Sequence, residues 1–168
     1  MAKKDPVQEK LAKKTTFTKN GYTLTRLARF EIKARVLRKK EYWFGREADL
    51  SPVDFAMGWG PMSDQAVINK LSISQDNRWY YWETSNLPIA KRKIETHSGN
   101  MHLIPADENV EDLLLSVPEG KVVHLKGYLV NAKADDKWKW TSSLSRKDTG
   151  SNSCELFYVE NYVPVSVK

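Results

Sequence analysis

The chain has 168 residues, of which 40% are hydrophobic and 29% charged, and carries a net charge of +6. That length suits one domain able to bury a core unaided, and a single cysteine, Cys154, excludes an internal disulfide. No apolar run reaches the length of a bilayer span, and residues 1–20 hold no apolar stretch of the signal-peptide kind.

Residues 1–20 read as a flexible lysine-rich tail or spacer. They hold six lysines against Asp5 and Glu9, so +4 of the net charge lies there and the rest of the chain, 21–168, is close to balance. From Ala28 the sequence alternates, with Phe30, Ile32, Ala34 and Val36 on one side and Arg29, Glu31, Lys33 and Arg35 on the other. Period two with one apolar face predicts a half-buried strand, extending toward Tyr42-Trp43-Phe44. Ser51-Pro52-Val53-Asp54 carries a helix-start signature, and Gly58, Gly60 and Pro61 end that helix early. Ser63 caps a second short helix reaching about Lys70. Residues 71–75 and 78–83 read as strands around a turn at Gln75-Asp76-Asn77, the second of them holding Trp79-Tyr80-Tyr81-Trp82.

After a loop at 84–92, Ile94 to Ile104 reads as extended with a break near Gly99. Val110, Leu113, Leu114 and Val117 follow the spacing of an amphipathic helix, ended by Pro118 and Gly120. Lys121–Val130 is a strand, Asn131–Asp136 a turn, and Lys137–Ser145 a returning strand with Trp138 and Trp140 on one face. Lys147–Ser153 is a loop and Cys154–Glu160 a last strand. The class is mainly β with two or three short helices (α+β). The expected architecture is a small bent sheet or an OB-like barrel with a helical insertion near 51–70.

Three polar loops are the places where chemistry could reside. His97 and His102, with Asn100 between them, could shuttle protons, and with Asp148 they are the catalytic candidates of a hydrolase. A spacing of five puts the two imidazoles on opposite faces of a regular strand. Trp59, between Gly58 and Gly60, is shaped to present or bury a large ring. Ser143 and Arg146, near a hairpin end, could bind an anion. Trp59, Asn100, Ser143 and Arg146 are therefore the binding candidates. Asp54 reads as a helix-capping acid and Cys154 as a small buried hydrophobe. No metal-ligand spacing and no cofactor motif are present. Arg29, Lys33, Arg35, Arg38-Lys39-Lys40 and Lys91-Arg92-Lys93, with Trp43, Trp79 and Tyr81, could form a single-strand nucleic-acid face, although Glu31, Glu41, Glu47, Asp49 and Glu95 interleave.

Three segments resemble an uncharacterised bacterial domain family: Phe30–Leu37 through Gly58-Trp59-Gly60-Pro61-Met62-Ser63-Asp64; His97–Ala106; and Ser142–Arg146 with Asp148-Thr149-Gly150 and Cys154-Glu155-Leu156. The resemblance spans roughly residues 21–160. The family has no assigned activity, so it transfers no functional residue. Its members often begin with a hydrophobic membrane or signal segment and a polar spacer. The resemblance therefore implies that residues 1–20 are such a spacer and that the full-length protein is periplasmic or membrane-anchored; without it the expectation is cytoplasmic.

The leading reading is a β-barrel-like binding module, in the bacterial cell envelope if the resemblance holds, whose partner is an unknown protein or envelope component. The sequence leans away from an enzyme because no catalytic constellation is complete. A hydrolase built on His97, Asn100 and His102, and single-stranded nucleic-acid binding through the basic aromatic face, are the alternatives.

Overall fold

The computed structural model describes residues 1–147 and 153–165. In chain order the elements are β1 (Val7–Lys19), β2 (Tyr22–Glu41), α1 (Arg46–Leu50), β3 (Val53–Gly58), a 3-10 turn (Gly60–Ser63), α2 (Gln65–Ile68), β4 (Ser72–Asp76), β5 (Trp79–Glu83), α3 (Lys91–Thr96), β6 (Ser98–Pro105), α4 (Glu108–Ser116), β7 (Val122–Lys133), β8 (Lys139–Trp140) and β9 (Glu155–Val163). The molecule is mainly β with short helices, as its alternating stretches predict.

Five strands form a hydrogen-bonded ring. β2 pairs with β3, β3 with β6, β6 with β9, β9 with β7, and β7 closes back on β2. The β6–β9 pair is parallel and the other four are antiparallel. One strand can serve two neighbours because β2 is 20 residues long and irregular in register near Leu27 and Leu37. Such bulges bend a strand and raise its twist, which ring closure requires. The alternating residues Phe30, Ile32, Ala34 and Val36 point into the ring with Phe55, Met57, Met101, Leu103, Leu125 and Phe157. α4 adds Val110 and Leu114 to that interior, its first turn capped by the Asp107 carboxylate, which accepts the Val110 N–H at 2.9 Å.

Three local expectations are corrected. Residues 1–20 read as a flexible tail, yet Val7–Lys19 pairs along β2 through a turn at Asn20-Gly21. Both turn residues have positive φ, 51° and 82°, the geometry in which an Asn-Gly pair favours a tight hairpin. Phe17 packs edge-on against Tyr158 at 4.8 Å, and the Arg26 guanidinium lies 4.0 Å above the Phe17 ring. Ala2 is buried, donating its N–H to Ser63 Oγ at 2.8 Å and accepting the Gly60 N–H at 2.7 Å.

The helix expected from Ser51 is the strand β3, every residue of which is buried. Pairing on both sides overrides the local capping signal: Val53, Phe55 and Met57 fill the interior while Asp54 and Ala56 face outward under a second layer. The helical turns of the 51–70 stretch begin at Gly60. A Cβ on Gly58 would run into the Met62 carbonyl, so glycine lets the 3-10 turn fold onto the strand. Ile94, expected in an extended segment, lies in α3, and Gly99 continues β6 without a break.

The second layer is the β4–β5 hairpin, which stands outside the ring. Ile73, Tyr80 and Trp82 pack with Leu37, Ala56, Met62 and Ile94 on its outer surface. A separate outer cluster joins Trp138 and Trp140 to Leu50, Ile104 and Leu156. Among the described residues no helix is long and apolar enough to cross a membrane.

Candidate ligand cleft on the outer face of β3 and β6

Between these two outer clusters the ring carries polar side chains. In the antiparallel β3–β6 pair, Asp54 stands opposite His102 and Ala56 opposite Asn100. Alternation aims all four outward, away from Phe55, Met101 and Leu103. The Asp54 carboxylate is fully buried. One oxygen accepts from Arg78 at 2.7 Å; the other accepts from His102 Nδ1 at 2.9 Å and Asn100 Nδ2 at 3.1 Å. A buried carboxylate persists only when paired in this way.

Arg78 comes from the tip of the β4–β5 hairpin, where Asn77 and Arg78 adopt positive φ of 49° and 69°. Its guanidinium also donates to Ser51 O at 2.9 Å and lies 3.7 Å above the Tyr42 ring. Its backbone N–H donates to Tyr42 Oη at 2.9 Å, and its carbonyl accepts from Asn100 at 3.0 Å. Arg78 thus pins the hairpin to the ring through charge, stacking and backbone together. Burial raises the Tyr42 hydroxyl above its ordinary pKa, and burial raises Tyr80 likewise. Tyr80 Oη shares a 2.8 Å hydrogen bond with Ser98 Oγ, a second tie between the hairpin and β6.

A carboxylate only accepts, so His102 Nδ1 carries the proton that Asp54 receives. In the neutral ring Nε2 is then an acceptor, and it has no hydrogen-bond partner among the described residues. The imidazole lies 4.9 Å from the Trp140 ring.

Two cavities open along this face. The larger, about 430 Å³, is bordered by Trp59, Trp79, Tyr81, Trp82, Asn100, Arg146 and Glu155. The smaller, about 310 Å³, is bordered by Arg78, Trp79, His102, Lys139, Trp140, Thr141 and Cys154. Trp79 borders both.

The three loops singled out in the sequence meet at the larger cavity, which touches Trp59, Ser98–Asn100 and Ser145-Arg146. Arg146 pairs with the buried Glu155 at 2.7 Å and lies 5.1 Å from the Phe30 ring. Ser143 is buried and bonds within its own loop, accepting the Ser145 N–H at 3.1 Å. His97 does not join His102. It ends α3, with Nδ1 within 3.0 Å of Lys93 O and of Thr96 Oγ1, and its ring sits against Gly60. Asp148 lies outside the described residues. Cys154, partly exposed, borders the smaller cavity.

Three of the basic residues named for a nucleic-acid face make contacts within the fold. Arg35 donates to Gln65, Arg38 to Glu119 and Ile73 O, and Lys39 to Leu115 O. Sequence reasoning missed Asp54, Arg78 and Tyr42 as one group, because no local spacing links residues 42, 54 and 78. Among the described residues no group of three or more His, Cys, Asp or Glu gathers to hold a metal ion. No protein-family model, curated protein or solved structure matches the chain.

Proposed function

We propose that this protein is a binding module with an OB-type barrel, taking an extended ligand over the outer face of β6 alongside the β4–β5 hairpin. The observation that carries the reading is the aromatic cleft, a cavity of about 430 Å³ bordered by Trp79, Tyr81 and Trp82 together with Asn100, Arg146 and Glu155, and by Trp59, which is itself buried in the core. Its place in the fold supports it. The ring order β2-β3-β6-β9-β7, the single parallel closure and the helix between β6 and β7 suit the OB type, whose ligands lie on the second and third strands and against the loops that follow the first and fourth. Here those strands are β3 and β6, and the loops contribute Tyr42, Trp140 and Arg146.

Titration of intrinsic tryptophan fluorescence with a panel of oligosaccharides, oligonucleotides and peptides tests the reading. Saturable binding that weakens at least tenfold in Trp82→Ala, with the melting temperature held, is expected. Binding that is indifferent to Trp79→Ala and Trp82→Ala would place the ligand elsewhere and sink the proposal.

A further inference from the structure

We infer that the two cavities are adjacent subsites for a neutral oligosaccharide, with Trp79 as their shared wall and His102 as the fixed acceptor of the second. This rests on the binding-module reading and names its ligand.

The aromatic surface comes first. A chain of rings leaving the larger cavity meets the smaller one around a single indole, since Trp79 borders both. Trp82 borders the larger cavity and Trp140 the smaller. Sugar rings present apolar C–H faces that stack on such surfaces and hydroxyl edges that need hydrogen bonds.

Charge then separates a polyol from a polyanion. The two guanidiniums at the walls are already neutralised, Arg78 by the fully buried Asp54 and Arg146 by the buried Glu155. The remaining charged side chains are Glu83 and Glu95 in the larger cavity and Glu47 and Lys139 in the smaller. Lys91 and Arg92 reach Glu95 only at 3.7 Å and are mostly exposed. A phosphodiester strand requires a row of cations, and among the described residues bordering the two cavities Lys139 alone adds a positive charge beyond the paired Arg78 and Arg146. Carboxylates instead accept strongly from hydroxyl groups.

His102 supplies the specific contact. It is 4% exposed and borders the smaller cavity, its Nδ1 is held by Asp54, and Nε2 has no hydrogen-bond partner among the described residues. Orientation is therefore set before the ligand arrives, which lowers the entropy lost on binding. Trp140, whose ring lies 4.9 Å from the imidazole, and Thr141 border the same cavity, so a sugar seated there meets an aromatic side chain, a hydroxyl and His102 together.

The test is calorimetry with cello-, malto- and chitotetraose, the matching disaccharides and a dT10 oligonucleotide. At least one tetrasaccharide is expected to bind ten or more times tighter than its disaccharide. Trp79→Ala is expected to weaken the tetrasaccharide at least tenfold. His102→Gln should bring tetrasaccharide affinity down toward that of the disaccharide while leaving the disaccharide unchanged. Should His102→Gln unfold, Trp140→Ala carries the same prediction. Failure of all three tetrasaccharides, or preference for dT10, overturns the inference. If dT10 or a peptide binds with Trp79 dependence, the binding-module reading survives; if nothing binds in the cleft, both fall.

Discussion

Arg78 makes the largest single demand on the surrounding structure. It holds a positive φ, stacks on Tyr42 and neutralises a carboxylate with no access to water. Removing it leaves Asp54 charged and short of a donor, a change that typically destabilises by about 3–5 kcal/mol. Arg78→Ala is therefore expected to lower the urea midpoint sharply. Arg78→Lys should recover only part of the loss, because an ammonium cannot reproduce the forked contacts to Asp54 and Ser51. The double change Arg78→Met with Asp54→Ala should be less damaging than the two single changes added together, since it removes the stranded charge as well. Additive losses would show that the pair does not act as one unit. Asp54 also marks where sequence reading stopped. Its neighbours Ser51 and Pro52 suit a helix start, and only the β3–β6 register sets it opposite His102.

A second pair on β2 and β7 titrates in a predictable direction. Glu31 Oε1 lies 2.6 Å from His124 Nε2 and 3.2 Å from Lys126 Nζ. The hydrogen bond from His124 is the main cause that holds the Glu31 carboxyl below its ordinary pKa; burial opposes it, and the Lys126 ammonium adds to the lowering. A depressed folded value means the pair stabilises the fold above the ordinary glutamate range. That contribution fades as pH falls through the lower folded value. Because Glu31 is 40% exposed, solvent screening limits the effect to about 0.5 kcal/mol. The difference in urea midpoint between the natural chain and Glu31→Gln should shrink as pH drops from about 5 to about 3. A difference that grows in that interval would contradict the assignment.

At the scale of elements, legibility followed how locally each element is determined. α4 is readable because its apolar spacing from Val110 to Val117 and its stop residues Pro118 and Gly120 are close together, and the interior face of β2 is readable by simple alternation. The β1–β2 hairpin carried an equally local signal, Asn20-Gly21, that its lysine count obscured: β1 is mostly exposed and so has little apolar pattern to show. Gly21 provides the test. An L side chain at φ 82° is strained by about 1–2 kcal/mol, so Gly21→Ala should loosen β1 more than the ring. Amide hydrogen exchange should show protection within Val7–Lys19 in the natural chain and exchange about tenfold faster in the variant. Unprotected amides throughout 7–19 would restore the flexible-tail reading.

Across the whole molecule, the cleft depends on ring closure, because its walls belong to separate stretches of chain. β6 supplies the floor, β5 of the outer hairpin one wall, and described residues between β7 and β9, from Lys139 to Arg146 and at Ser153 and Cys154, the other. No sequence window contains all three, which is why the separate loops were visible as polar clusters but the shared cavity was not. β9 closes the ring by lying parallel to β6 and antiparallel to β7, and Phe157 fixes it by packing edge-on against Phe30 at 5.0 Å. Truncating a fully buried ring of this kind removes apolar contact and leaves a cavity, an effect of about 3–5 kcal/mol. Phe157→Ala should therefore shift unfolding by that amount, although residue 157 borders neither cavity. Both outer clusters rest on ring strands, so tryptophan fluorescence, which sums all six tryptophans with Trp79, Trp82 and Trp140 among them, should lose its folded signal at the same urea concentration as far-ultraviolet circular dichroism. Separated transitions, with fluorescence changing first, would show that the aromatic hairpin opens on its own and that the cleft is assembled on an already closed ring.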